Sequence, residues 1–390
     1  YETDRELIPY SQKAIDYLEE WLFDKGIQFN FTLHYTDFIL ENATILKENR
    51  LPSLFEEIKI VDNNFDIIIS NPPYFKLSKD DKRVAVSQEL VSGQPNIYSI
   101  FMGIAAKLLT ENGELIFITP RSFASGNYFK AFRELFFNTV QIDKIHLFNS
   151  RKETFNRDNV LQETVVIKAI REKIDPNKKV LISSSTGVKD IFKPSIKYFN
   201  SSELIDLNSK EKILHLPTSD KEENILSLVS TWENVLTDFN IKISTGPVVA
   251  FRASDYIQNH YENGTVFLAP LFWLHNVNKM ILEWPKQLKG KGQFIRIESG
   301  SKSLLIPNKN YILLRRFSTK DDKSRLIAAP YFCNYAKSDY IGVENKVNYI
   351  YRKNGHLDRD EVVGLCALLN SKLFDTYFQI FNGNVNVSAT

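Results

Sequence analysis

Cysteine is nearly missing from this chain: Cys333 and Cys366 are the only two in 390 residues. A disulfide-stapled scaffold is thereby excluded, and a reducing compartment is the expected setting. No apolar run approaches the roughly 18 residues of a membrane span, and no signal-peptide pattern opens the chain. The histidines, His34, His146, His215, His260, His275 and His356, show no metal-ligand spacing, and two distant cysteines do not supply one, so no metal site is expected. Glycine is sparse as well, 15 in all with none before Gly26. No internal repeat is visible.

What remains is an ordinary globular composition, 43% apolar and 25% charged. It can fill a large core, and its length is about twice the commonest domain size, so two domains are expected. The formal charge of +2 conceals an asymmetry: residues 1–175 carry −5, residues 176–240 carry −1 and residues 241–390 carry +8. A polyanion such as nucleic acid would be held mainly by the last third, unless that charge serves only solubility.

Hydrophobic periodicity places an amphipathic helix at 6–24, through Ile8, Ile15, Leu18 and Leu22. "FNFTLHYTDF" (29–38) reads as a strand. "FDIIISNPPY" (65–74) has a continuous apolar run from Ile67 to Ile69, as in a strand buried on both faces, and is ended by a polar residue and two prolines. A helix at 97–111 stopping near Asn112-Gly113, a strand at 114–120, a helix at 127–137 and strands at 142–148 and 163–170 complete an alternating series. Such a series indicates a mostly parallel, doubly wound α/β sheet, whose sites lie at strand C-terminal ends, where Asp37 and Asn71 fall. Residues 171–240 are turn-rich. From 241 onward short strands and aromatics point to a mixed α+β domain, with a helix at 360–381.

Asn71-Pro72-Pro73-Tyr74 after the best strand can be read as a proline-rich turn. In its context it resembles the signature of amino-group methyltransferases that use S-adenosylmethionine. An exocyclic amine such as adenine N6 is a poor nucleophile because its lone pair is delocalised. It needs acceptors for its N–H bonds, so that the nitrogen can pyramidalise toward the methyl group. The Asn71 side-chain oxygen and the Pro72 carbonyl suit that task. Pro72 and Pro73 stiffen the backbone that carries them, and Tyr74 offers a ring for a flipped base. Methyl transfer by this route needs no metal.

The resemblance extends over most of the chain and is to type II, including type IIG, restriction–modification DNA adenine-N6 methyltransferases. In these a Rossmann-like catalytic domain precedes a target-recognition domain. On that pattern residues 1–175 are a partial catalytic domain, 176–240 a connecting region and 241–390 the recognition domain. The resemblance implies Glu2 as ligand of the cofactor ribose, and Asp37 with Phe38 as contacts to its adenine, with Asn71 and Pro73 also lining the cofactor site. The other reading of Asp37 is a helix cap before Ile39–Leu46. "PNIYSIFMGIAAKLLTENGELIFITPRSF" resembles the next two motifs. There Ser99, Phe101 and Met102 either touch the cofactor or sit in the core. Phe155, in "KETFNRDNV", is implied as the second face of the flipped adenine, opposite Tyr74.

In the recognition half the resemblance places Arg252, Arg315, Arg316, Lys323, Arg325 and His356 against double-stranded DNA. Arg315 and Arg316 are neighbours, so on a strand they point oppositely and one of them is structural or solvent-facing. Lys302 and Asn382 are further candidates for DNA contact or plain surface positions. Family members carry a first strand and glycine-rich loop before the ribose ligand, which this chain does not show, so it is expected to be truncated before Tyr1. A partner restriction endonuclease, or a nuclease fused outside the chain, and a prokaryotic cytoplasmic setting follow from the same resemblance. Glu57-Ile58-Lys59 is superficially similar to a metal-dependent nuclease fragment but lacks a companion Asp at a strand end. The alternatives are methylation of RNA or of protein glutamine, and a non-catalytic DNA-binding subunit that retains the fold.

Overall fold

The computed structural model describes residues 1–47, 65–148, 163–187, 190–259, 267–317 and 324–382, together with Val387. Phe155, Lys323, His260 and the Glu57–Lys59 fragment lie outside these residues. The chain divides into two units, Tyr1–His215 and Leu216–Thr390.

Six strands organise the first unit: β1 (Phe65–Ser70), β2 (Leu109–Pro120), β3 (Gln141–Phe148), β4 (Thr164–Ile170), β5 (Lys179–Ser185) and β6 (Ser195–Asn200). Their order in space is β1-β2-β4-β3-β5-β6. β1 runs parallel to β2 and β3 parallel to β5, while β4 and β6 run against their neighbours, so the sheet is mixed rather than mostly parallel. Helices α1 (Ile8–Phe23), α2 (Phe38–Asn42), α3 (Lys82–Val86), α4 (Ile97–Leu108) and α5 (Lys130–Thr139) accompany it.

The sequence of α4, IYSIFMGIAAKL, is apolar almost all round, and the helix is accordingly buried on nearly every side, from Tyr98 through Met102 to Leu108. Gly103 permits the close approach of α4 to Leu90: a Cβ there would lie 2.4 Å from the Leu90 Cδ2 atom. α4 ends at Leu108, before the Asn112-Gly113 pair expected to stop it. That pair instead bends the chain inside β2, with Asn112 in the left-handed region at φ 65°.

Three expectations need correction. β1 is not buried on both faces: among the described residues only β2 pairs with it, and Ile67 and Ile69 are 60% and 73% exposed. Residues 29–35 form no strand, and among the described residues no strand pairs with them. Among the described residues their backbone is engaged by Glu2, whose N–H donates to the His34 carbonyl at 2.9 Å. Part of the 176–240 stretch belongs to the sheet: β5 and β6 lie in it, with Val180, Ile182 and Phe199 buried. The β5 serines that read as turn are buried, Ser183 and Ser185 pairing with the His146 ring at 2.8 and 2.9 Å, while Lys179 and Ser195 face outward.

The second unit holds two main sheets. One has, in spatial order, Ala328–Tyr331, Tyr311–Arg315, Val347–Arg352 and Ile241–Thr245, all antiparallel. The other has Leu305–Pro307, Tyr340–Val343, Leu268–Phe272, Phe294–Arg296 and Ile257–Gln258. One core joins the two sheets through Phe272, Leu313, Tyr331, Ile341 and Val347, and a second packs Val362 and Cys366 against Ile312, Leu326 and Ile350. The helix expected over 360–381 is two helices, Arg359–Asn370 and Lys372–Phe381. It breaks at Ser371, whose Oγ accepts the Phe374 N–H at 3.2 Å and so starts the second helix.

Candidate active site

Because β1 and β2 are parallel, their C-terminal ends lie side by side, and Asn71 leaves β1 beside Ile118 of β2. The tetrapeptide is anchored there. Tyr74 Oη lies 2.5 Å from Asn71 Oδ1 and 2.8 Å from the Ile118 carbonyl oxygen. Burial pushes the Tyr74 hydroxyl up to about 12, so it stays protonated at physiological pH. Pro72 is buried, whereas Asn71 and Pro73 are exposed.

Behind Tyr74 stands Tyr98 of α4, edge-on at 6.2 Å between ring centroids. Tyr98 is fully buried, and its hydroxyl pairs with Ser122 Oγ at 2.6 Å. The ring is further packed against Phe129 at 5.4 Å. Ser122 belongs to the turn after β2, which Arg133 of α5 clasps. The guanidinium is 0% exposed and donates to the carbonyls of Phe123 at 3.1 Å, Gly126 at 2.7 Å and Glu211 at 2.7 Å. Burial lowers Arg133 to about 10, against which Glu211 pulls upward, so the group remains charged at neutral pH. Sequence reading missed Tyr98, Ser122, Ile118 and Arg133. Only Tyr98 left a signal, since a hydroxyl inside an otherwise apolar helix must find a partner.

The residues expected at the cofactor gather in an aromatic group. Tyr1 stacks on His34 at 4.5 Å and meets Phe38 edge-on at 5.2 Å, and Phe38 stacks on Phe101 at 4.8 Å. Glu2 follows Tyr1, and its Oε1 accepts the N–H groups of Thr3 and Asp4 at 2.8 and 2.7 Å. Asp37 is a helix cap: its Oδ1 accepts from Ile39 and Leu40 at 2.9 and 3.1 Å. Its Oδ2 lies 3.7 Å from Arg83. Arg83 is held mainly by Asp81, at 2.9 and 2.6 Å, and that hydrogen-bonded pair keeps the Asp81 carboxyl down at about 2. Ser99 and Met102 are core residues, with the Ser99 Oγ spent on the Asn96 carbonyl at 2.8 Å; Phe101, on Phe38, alone of the three joins this group.

In the second unit the candidate basic residues separate by environment. Arg252 is exposed and lies over the equally exposed Phe251 ring at 5.3 Å. His356 is exposed on its turn, and Lys302 is exposed too. Arg316 is half-buried beside Phe317, donating to the Asn345 carbonyl at 3.1 Å. Arg315 is committed inward, to the Val277 carbonyl at 2.6 Å and Asn278 Oδ1 at 2.9 Å. Arg325 departs from expectation: it is 4% exposed, set over Phe378 at 5.8 Å, with its own N–H on buried Asp375. A guanidinium so enclosed does not face a phosphate. Asn382 is likewise buried. Among the described residues no group of His, Cys, Asp and Glu could hold a metal ion, and no helix is long and apolar enough to cross a membrane.

Comparison with known proteins agrees with the tetrapeptide. The sequence profile of the Eco57I restriction-modification methylase family matches residues 11–155. The chain is 34% identical over 322 residues to the type II methyltransferase M.PstI of Providencia stuartii, an alignment covering 83% of this chain and 62% of that protein. It is 33% identical over 392 residues to the type II methyltransferase M.BsuBI of Bacillus subtilis, covering 100% of this chain and 74% of that protein. The chain thus spans just under two thirds of the first relative and about three quarters of the second. Among solved structures the type IIG restriction endonuclease BpuSI aligns at 14% identity and a TM-score of 0.35, covering 83% of this chain and 45% of that one, too weak a likeness to argue from.

Proposed function

The chain belongs to the type II methyltransferases of restriction–modification systems, with their Rossmann-like α/β fold in its first unit, and we propose that it methylates adenine N6 in double-stranded DNA. The observation that carries this reading is the anchoring of Asn71–Tyr74 at the paired ends of β1 and β2, with Tyr74 tied to both Asn71 and Ile118.

An aromatic amine already has an uncharged nitrogen at neutral pH, so the site needs acceptors rather than a strong base. The Asn71 carboxamide oxygen and the Pro72 carbonyl would take the two N–H bonds and turn the lone pair out of the ring plane. The Tyr74 ring, braced by Tyr98, would stack on the extruded base and replace the neighbours lost on leaving the helix. Phe155 is proposed for the opposite face.

The donor set fits the nucleoside half of S-adenosylmethionine, which supplies when bound a methyl group on a positively charged sulfur. Glu2 would offer Oε2 to a ribose diol, and Asp37 would offer an adenine amine its Oδ2, which lies 3.7 Å from Arg83, while Oδ1 caps α2. Phe38 supplies apolar ring surface next to them. Arg252, Arg316, His356 and Lys323 are proposed to contact DNA; Arg315 and Arg325 are better assigned to the interior.

The test is transfer of labelled methyl from S-adenosylmethionine to duplex DNA, with nucleoside digestion to identify the product. N6-methyladenine is the expected product, and Asn71→Ala is expected to lower the rate by about 100-fold or more. Methylcytosine as the product, or full activity in Asn71→Ala, would overturn the reading.

A further inference from the structure

Tyr74 presents a proton-counting problem. Its Oη lies 2.5 Å from the Asn71 carboxamide atom placed as Oδ1 and 2.8 Å from the Ile118 carbonyl oxygen. A tyrosine has one hydroxyl proton, and both of these neighbours are acceptors. With the proton on Ile118, two lone-pair-bearing oxygens face each other at Asn71; with the proton on Asn71, the Ile118 carbonyl loses it. The nitrogen and oxygen ends of a carboxamide have nearly the same shape, and turning the group over satisfies all three atoms.

We infer that Asn71 is a donor to Tyr74: its Nδ2–H bonds to Tyr74 Oη, the Tyr74 hydroxyl bonds to the Ile118 carbonyl, and Oδ1 is left free to accept the target amine. The relay fixes the carboxamide rotation by reference to the backbone of β2, the most firmly paired strand beside the site. Tyr74 then has two separable roles: its ring faces the base, and its hydroxyl is a positioning group that acts through Asn71. Without the hydroxyl the carboxamide can rotate by half a turn and present N–H to an amine that already carries two. That inverted rotamer is unproductive. The inference rests on the reading of Asn71 as the amine acceptor, but the orientation of the carboxamide can be measured without catalysis.

Tyr74→Phe keeps the ring and removes only the hydroxyl. In single-turnover methyl transfer at saturating DNA and cofactor, the variant is expected to be roughly three- to tenfold slower, the size of one positioning hydrogen bond. DNA and cofactor dissociation constants should match the wild type, and the melting temperature should fall by no more than about 5 °C, the cost of the lost hydrogen bond. The defect should be the same factor from about pH 6.5 to about pH 9, because a buried tyrosine does not titrate there. An unchanged rate, a loss residing only in affinity, or a defect that varies with pH would each overturn the relay. Nuclear magnetic resonance of side-chain amide-labelled asparagine gives the activity-independent arm: one Asn71 Nδ2 proton should be hydrogen-bonded in the wild type and released in Tyr74→Phe. Identical Asn71 amide signals in the two proteins would refute the relay even if methyl transfer is seen. Wild-type protein that shows the bonded proton but methylates no DNA would instead sink the proposed function and leave the relay standing.

Discussion

Replacing Arg133 with methionine should destabilise the first unit by about 3 kcal/mol. The guanidinium is wholly enclosed and donates to three carbonyls, those of Phe123, Gly126 and Glu211. Charged donors contribute about 1.5–3 kcal/mol each when buried, but Gly126 O also receives the Phe129 N–H at 3.0 Å and so loses less than the others. Against this loss stands the desolvation of the cation, whose depression to about 10 from 12.5 corresponds to about 3 kcal/mol that methionine does not incur. For a unit of this size the net effect corresponds to a fall in melting temperature of about 6–12 °C. Thermal unfolding followed by far-ultraviolet circular dichroism, with urea titration alongside, reads it directly. Arg133→Lys should recover little, since one ammonium cannot span three carbonyls on different sides. A methionine variant melting within about 2 °C of wild type would refute the reasoning, because it would mean that the clasped turn is held by packing alone.

Other outcomes follow from single contacts. Asp37→Ser keeps a capping oxygen for α2 but removes the second carboxylate oxygen, so it should melt like the wild type while binding S-adenosylmethionine more weakly by calorimetry; Asp37→Ala should lose about 1 kcal/mol in addition. Arg252→Ala should leave stability within about 0.5 kcal/mol and lower the salt slope of DNA binding by about 1, whereas Arg325→Ala should destabilise the second unit by about 2 kcal/mol through the lost Phe378 contact and the space left behind. The Asp81 carboxyl is held at about 2 by Arg83, below its unfolded value, so its contribution is complete above about pH 4 and disappears as pH falls toward 2. Because the pair is near the surface, Asp81→Asn should flatten that acid limb of a urea-denaturation series by only about 1 kcal/mol.

The fold was legible where its signals are local. α1, α4 and the strand before Asn71 show in periodicity, and the order of elements after it follows from their alternation. The errors share one physical origin, which is that a strand is defined by its neighbour. "FNFTLHYTDF" alternates well enough, but nothing pairs with it among the described residues. The turn-rich stretch 171–240 contains "KVLISSS" and "SIKYFN", which β3 and β5 supply with ladders. β1 has a sequence fit for burial on both faces, yet the face carrying Ile67 and Ile69 is exposed.

The candidate site divides along the same line. Asn71, Pro72, Pro73 and Tyr74 could be read because four consecutive residues carry the chemistry. Ile118, Tyr98, Ser122 and Arg133 could not, because each acts through contacts formed only when separate elements meet. Charge was the least informative signal: Arg252 and Arg325 are the same residue type in the same basic stretch, yet one is exposed over Phe251 and the other enclosed against Asp375 and Phe378. Asp37 shows why competing readings of one residue need not exclude each other. A carboxylate has two oxygens, and its cap consumes one. The cap, with Arg83 3.7 Å from the other oxygen, also fixes the side-chain rotamer, so the second oxygen has a defined direction before any ligand arrives. The local role that made Asp37 look merely structural is therefore what would let it recognise an amine, just as the hydroxyl tie that makes Tyr74 look like a packed ring is what would aim Asn71.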